Sequence, residues 1–552
     1  MTTAAAVAAA PPVTSLSEAE RLRIEAFTTW LESRGGKFHR DLYFANDETT
    51  GLSLFSRHNH EGQGDDVVAV EVPVDIVITP WEARETIRRC FSKGTDEGDN
   101  GSGGDELQLQ AKEWVALYVF LVRLALESRK GQSREGVSLQ KARESVVKSP
   151  TTLDALLDRA PYIDVLPLDV PTPLHFSKDE LQLLVGTPLY YHALECRRDT
   201  RRACSKAVRW LLARLNSDEP GTDRAQLRAV LEPLVAAIDE DESSLFSHER
   251  EAQSWDLDEE AYKPLRVFRW ATTIVDSRAF PPRLVGQPRE QSLTGPILIP
   301  GLDAFNHARQ ASVTWTYHEP SAVEKGASEK AKVTLTIHNG LSKGQQVFNS
   351  YGPKPNEDFL ASYAFVDPAM QDDVVSLVLG GSGAPAPTSI TQTSSAPVNS
   401  PQQSSTSRSI RPGVVEASDG QAASSCIVLP NGKKQHFWKI TDTTCPPSLL
   451  AEVIELLPPM EQASDGDGQM EDELQTRGEA LEVILELLEA KNAAFLNSQT
   501  RIDKIASIPT LRRAVVDNVM VYRKGQGIIL EKSIRTVERE MNQVEEEFNN
   551  IM

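Results

Sequence analysis

Two short segments of this 552-residue chain concentrate side chains that can hold and orient a ligand: GLDAFNHARQ from Gly301 and NSYGPKPNEDFLASYAFV from Asn349. The first offers Asp303, Asn306 and His307, and the second Tyr351, Tyr363 and Phe365. A carboxylate, a carboxamide, an imidazole and a phenol together supply both donors and acceptors for a polar molecule. Upstream, WATTIVDSRAF from Trp270 ends a helical pattern at Arg278, where a guanidinium can pair a carboxylate or simply complement the helix dipole. Taken singly, a Tyr-Gly is an ordinary strand-end turn and an Asn-His pair a turn cap beside a core histidine. What raises them above that is an alternating strand pattern and a tight turn between the segments, which let both reach one pocket. Metal chemistry finds no comparable pattern. The cysteines form no C-x-x-C pair, and His58-Asn59-His60 has no carboxylate or cysteine at ligand spacing.

The elements around these residues follow from periodicity. A helical pattern with Leu22, Phe27, Trp30 and Leu31 runs from Arg21 to the Gly35-Gly36 stop, and β-type runs follow at GLSLFS from Gly51 and VVAVEVP from Val67. Between about residues 81 and 273 the period becomes helical, as in WVALYVFLVRLALE from Trp114 and VRWLLARLN from Val208. Strand signals return with ILIPG from Ile297, SVTWTYH from Ser312, KVTLTIH from Lys332 and QQVFNSYG from Gln345. A connection that long within one sheet must pack as a helical subdomain of its own. After Gly380 a Ser, Thr, Pro and Gln rich stretch buries too little apolar surface to offset its chain entropy, and a disordered loop is expected over about 382–425. The remainder carries apolar stripes at helical spacing. The expected organisation is a disordered tail over 1–20, an α+β unit over 21–370 with its helical insertion, and an all-α unit over 371–552.

Composition narrows the function classes. A net charge of -21 argues against a broad phosphate-binding surface, so direct nucleic-acid contact is not expected, whereas a basic protein segment would be welcome. Five widely spaced cysteines suit a reducing compartment, the cytoplasm or the nucleus. No apolar run approaches the roughly 20 residues a membrane span requires.

The motifs resemble the SET-domain protein methyltransferases, in the branch of the Rubisco large-subunit lysine methyltransferase, the ribosomal-protein lysine methyltransferases and the actin-histidine methyltransferase. The family's D-x-x-N-H is matched by Asp303 through His307, and its late Tyr-Gly, Asn and second aromatic pair by Tyr351, Gly352, Asn356, Tyr363 and Phe365. WATTIVDSRAF, TPLHFSKDELQLLVGTPL from Thr172 and VYRKGQGIIL from Val521 are similar to further family segments in the same order. The resemblance implies a split SET β fold with a helical insertion, a C-terminal substrate-binding domain, S-adenosylmethionine as methyl donor and no metal. It implies Tyr351 as the catalytic residue, aligning an amine with the methyl group. Arg278, Asn306, His307 and Tyr351 would face the cofactor, together with Glu48, Thr50 and Gly51, in a turn with one glycine fewer than the family's. Tyr351, Tyr363 and Phe365 would wall the substrate channel, with Asp303 beside it.

The reading that follows is a protein-lysine N-methyltransferase acting on a non-histone protein, with ribosomal or translation components as candidates. Phe280, two residues after Arg278, offers an apolar wall that suits an aliphatic amine better than an imidazole. The alternatives are a protein-histidine N-methyltransferase, or a catalytically silent SET scaffold that binds a protein partner.

Overall fold

The computed structural model describes residues 13–59, 66–91, 107–133, 155–215, 223–241, 262–285, 293–322, 328–338, 340–379, 407–410, 426–428, 433–458 and 469–551. The chain opens with β1 (Val13–Thr14), α1 (Glu18–Ser33), β2 (Lys37–Phe38), β3 (Leu42–Asp47), β4 (Gly51–Ser56) and β5 (Val67–Pro73). Ser17 starts α1 with a capping box, accepting from the Glu20 N–H while the Glu20 carboxylate takes the Ser17 N–H. The expected tail over 1–20 is therefore corrected at its end. Ser17 and Glu20 nucleate the helix from Glu18, and Val13–Thr14 pair with Asp47 and Asn46 of β3. Residues 1–12 lie outside the described residues.

Helices then follow one another: α2 (Pro80–Phe91), α3 (Ala111–Ser133), α4 (Ala160–Val165), α5 (Lys178–Gln182), α6 (Pro188–Leu212), α7 (Asp223–Asp241) and α8 (Lys263–Arg278). The two ends of this insertion meet, because Ile78 bridges Leu298 and Phe280 bridges Ile297. Its apolar faces share one buried core with the sheet, in which Val115 and Phe120 of α3 and Ile274 of α8 join Val70, Phe305 and Leu335. That common core fixes the end of α8, and with it Arg278, relative to the strands.

The remaining elements are β6 (Val313–His318), β7 (Ser321–Ala322), β8 (Ser328–Glu329), β9 (Lys332–Ile337), α9 (Asn356–Tyr363), β10 (Val374–Val378), β11 (Ser407–Ile410), β12 (Cys426–Val428), β13 (Lys434–Lys439), α10 (Pro447–Leu456), α11 (Gln469–Ala506) and α12 (Arg513–Ile551). A five-stranded antiparallel sheet has the order β11-β6-β9-β5-β2, and a second sheet the order β1-β3-β4. β11 corrects the disordered-loop expectation at Ser407–Ile410, which pair with His318 to Trp315. Pairing along an edge strand uses backbone groups alone, so a Ser-rich segment without apolar alternation can supply it. The rest of 382–425, apart from Ser407–Ile410, lies outside the described residues.

The C-terminal region is helical as expected, with one addition: a three-stranded sheet ordered β10-β13-β12. Trp438 of β13 is buried with Leu449, Leu481 and Leu530, so this small sheet caps the helices. α11 and α12 run antiparallel, with Phe495 against Gly527 and Gly478 near Val544. A third apolar cluster, including Leu189, Leu360, Ile502, Val519 and Tyr522, seats them on α6 and α9.

Candidate active site

The two segments dense in functional side chains lie side by side. Asn349 donates its backbone N–H to the Asn306 carbonyl at 2.7 Å and accepts from the Ala308 N–H at 2.9 Å. Its side chain, fully buried, accepts from the Trp315 indole at 3.0 Å and from the Ser350 N–H at 2.9 Å. Asn349 therefore pins both strands of the crossing to the main sheet. Sequence reasoning passed over it because an Asn before Ser-Tyr-Gly carries no signal of its own.

Tyr351 emerges from this crossing half-buried. Its N–H donates to His307 Nδ1 at 3.0 Å and its hydroxyl donates to the Phe305 carbonyl at 3.1 Å. The ring stacks on His307 at 5.1 Å and on Tyr363 at 4.9 Å. Burial is the main cause that pushes the Tyr351 phenol up to about 12, so it stays protonated near neutrality. Burial, with Arg309 nearby, pulls His307 down to about 4, which keeps the imidazole neutral and its Nδ1 an acceptor.

α9 brings the second aromatic pair to the same place. Ala364 takes a left-handed conformation, φ 64°, and this reversal sets Tyr363 and Phe365 on one cluster. Phe365 stacks on Phe359 at 4.8 Å and lies 6.1 Å from both Tyr363 and His307. Phe359 went unrecognised in the sequence, although its i,i+4 spacing to Tyr363 on one helix was the available signal. Asn356 anchors the start of α9, donating to Asp373 at 2.7 Å and 3.1 Å and to the Asp367 carbonyl at 2.9 Å.

The turn between β3 and β4 faces Asn306, whose side-chain nitrogen donates to Ser53 Oγ at 2.6 Å and to the Thr50 carbonyl at 3.3 Å. The missing glycine is accommodated by Asp47. Its carboxylate accepts from the N–H groups of Thr49 and Thr50, each at 2.8 Å, while Gly51 supplies φ 72°. Glu48, Thr50 and Gly51 are exposed along this turn. Thr50 donates to Gln346 Oε1 at 3.3 Å, and Gln346 Nε2 is buried without a partner.

Arg278 leaves the end of α8 and donates to the Asp303 carbonyl at 2.8 Å, with Asp303 Oδ2 at 3.4 Å. Asp303 is buried rather than open to the channel, and its other oxygen accepts from the Gly301 N–H at 3.1 Å. Phe280 is buried and meets Trp315 edge to face at 5.1 Å. Among the described residues no group of three or more His, Cys, Asp or Glu side chains is placed to hold a metal ion.

The overall architecture matches a solved structure, Rubisco LSMT bound to AdoMet, with a TM-score of 0.50 at 14% identity, covering 96% of this chain and 94% of that one. The chain carries a split SET fold. Comparison with family models finds no match. In sequence the SET chain is 28% identical over 40% of its length to the protein-lysine N-methyltransferase EFM1 of Saccharomyces cerevisiae, covering 35% of that protein. It is 25% identical to the ribosomal lysine N-methyltransferase set10 of Schizosaccharomyces pombe over 39% of this chain and 29% of that one. It is 28% identical to the actin-histidine N-methyltransferase of Drosophila melanogaster over 40% and 34%. The matched stretch thus spans about a third of each curated relative.

Proposed function

We propose that this SET protein is an S-adenosylmethionine-dependent protein-lysine N-methyltransferase acting on a non-histone protein. The observation that carries the reading is the stack of Tyr363, Tyr351 and His307, with Phe365 beside it, on the same two segments as Asp303, which Arg278 binds, and Asn306, which binds the Thr50 turn. A silent scaffold has no physical need for that convergence.

The residues present fit a methyl donor of this kind. Exposed Glu48 and Thr50, the orphaned Gln346 Nε2, and open space beyond Gly51, where a Cβ would meet nothing within 4 Å, suit a ligand bearing hydroxyls and ring nitrogens. Arg278 and Asn306 suit its aminocarboxylate. When bound, S-adenosylmethionine supplies an electrophilic methyl group on a sulfonium. The protein's own work is to align an acceptor and keep it uncharged. Free lysine deprotonates at pH 7 at a cost of about 4–5 kcal/mol, and desolvation among Tyr351, Tyr363 and Phe365 favours the neutral amine. The Tyr351 hydroxyl, protonated and already oriented toward the Phe305 carbonyl, aligns the acceptor rather than serving as its base.

Lysine is favoured over histidine because Phe280 and Trp315, buried in the core as an apolar pair with the Trp315 N–H given to Asn349, offer an imidazole no hydrogen-bond partner. A cavity of about 160 Å³ among α3, α6 and α8 has a mainly acidic set of charged groups that suits a basic protein segment. Its lining includes Ser362, Glu113, Glu195 and Asp199, together with Asp276, which Lys112 pairs at 2.7 Å. One relative's name, that of set10, adds weight to ribosomal components as acceptors. A cytoplasmic or nuclear location suits the five free cysteines. Among the described residues no helix is long and apolar enough to cross a membrane.

The test is methyl transfer from labelled S-adenosylmethionine into lysate proteins, comparing the unaltered chain with Tyr351→Phe and locating modified residues by mass spectrometry. Labelled lysines in basic sequence surroundings, reduced about 100-fold or more in the variant, are the expected result. Labelled histidine would move the assignment to the alternative. Cofactor binding without any transfer would favour the scaffold.

A further inference from the structure

A short buried chain of hydrogen bonds joins the helical insertion to the site. Tyr162 on α4 is 1% exposed, and its hydroxyl donates to Asp303 Oδ2 at 2.9 Å. Asp303 is held from two more directions, by the Gly301 N–H on Oδ1 and by Arg278 near Oδ2. Gly301 cannot easily move away. It has φ 88°, and a Cβ there would stand 3.0 Å from the Phe38 ring. The Tyr162 ring is fixed in turn against Phe27, with centroids 6.1 Å apart. Two helices of the insertion thus meet at the Asp303 carboxylate, α4 through Tyr162 and α8 through Arg278.

We propose that Tyr162 is a positioning residue for the methyl-donor pocket: its hydroxyl holds the Asp303 carboxylate in the orientation that lets Asp303 hold Arg278. The inference rests on the methyltransferase reading above. The ionised carboxylate is what Arg278 needs, since a protonated one loses most of its attraction for a guanidinium. Burial raises the proton affinity of Asp303, while Arg278 from the end of α8 and Tyr162 from α4 oppose that rise. Tyr351, from the second segment, is the other titratable group that senses Asp303, and it is neutral near pH 7. Removing the Tyr162 hydroxyl takes away one of three opposing partners and leaves Arg278 and the Gly301 N–H. The carboxylate then protonates at higher pH, and Arg278 keeps its bond to the Asp303 carbonyl but loses the charged contact at Oδ2 that completes its orientation.

The experiment is calorimetric titration of the full chain with S-adenosylhomocysteine from about pH 5.5 to about pH 8.5, for the unaltered protein, Tyr162→Phe and Asp303→Asn. Tyr162→Phe retains the ring and its packing, and the fitted stoichiometry counts folded chains, so affinity is read from those alone. Tyr162→Phe is expected to bind about tenfold more weakly near neutrality, with its acid-side loss of affinity displaced upward by about one pH unit. Asp303→Asn is expected to bind weakly with no acid-side loss. Unchanged affinity and an unchanged profile in Tyr162→Phe would overturn the inference, as would a fall in stoichiometry alone, which marks a purely structural role. Absence of binding by the unaltered chain would overturn the methyl-donor reading itself, and this inference with it.

Discussion

The Tyr351 hydroxyl donates to the Phe305 carbonyl inside a stack of rings, and burial holds its proton well beyond neutral pH. An alignment role has a kinetic signature that a base does not. If the acceptor amine must lose its proton before transfer, kcat rises with pH from about 6 to about 9 and levels off at the amine's own pKa in the complex. A pH–rate profile under saturating substrates checks this, and a falling limb within that range would contradict it. Ala364 provides a second test at the same scale. Its left-handed φ of 64° costs an L-residue with a Cβ about 1 kcal/mol relative to glycine, so Ala364→Gly is expected to raise stability by about that much. Denaturant unfolding measures the gain, and the aromatic cluster should survive because the Ala364 carbonyl, not its side chain, is what Asn518 contacts, at 2.9 Å.

Among the elements, α9 contributes Phe359 and Tyr363 to the aromatic cluster and also meets the C-terminal helices. Tyr522 of α12 donates to Glu357 of α9 at 2.6 Å, in a fully buried contact. Arg512, just before α12, binds Glu180 of α5 through Nη2 at 2.7 Å and Nε at 2.9 Å, and donates to the His175 carbonyl at 2.9 Å. Glu180 is buried and also closes the capping box of α5 with Ser177. Arg512→Ala strips a buried carboxylate of its main partner, at an expected cost of about 2–3 kcal/mol after allowing for the partial exposure of the arginine. The result should be a lower unfolding midpoint with modest change in kcat, because no substrate-facing group is removed. A large kcat loss at full stability would instead make this contact part of the catalytic geometry.

At the scale of the whole molecule, two buried imidazoles give pH a handle on stability. Burial is the largest cause pulling His175 down to about 3 and His307 down to about 4, so both stay neutral in the folded chain well below the ordinary histidine range. The unfolded chain binds protons on both once pH falls through about 6.5, so the unfolded state holds more protons and stability rises with pH across that window. The unfolding midpoint is therefore expected to be nearly level above about pH 7 and to fall progressively toward about pH 4. Scanning calorimetry over that range measures it, and His175→Gln should blunt the decline. A decline in His175→Gln as steep as in the unaltered chain would contradict the burial of that ring.

The sequence by itself determined the strand and helix periods, the long helical insertion, and the two segments that hold Asn306, His307, Tyr351, Tyr363 and Phe365, because local patterning and a short span between segments fix those features. It missed the start of α1, which depends on the reciprocal Ser17 and Glu20 bonds, and β11, whose pairing uses backbone groups that leave no apolar alternation. It also missed Asn349, Phe359, Asp47 and Tyr162, ordinary residues until a partner is brought to them. Only the tertiary structure decided that Asp303 is buried beneath Arg278 and that a tyrosine from α4, far away in the chain, completes its coordination. Hydrogen bonds between distant elements depend on where a shared core sets those elements, and no local pattern records that.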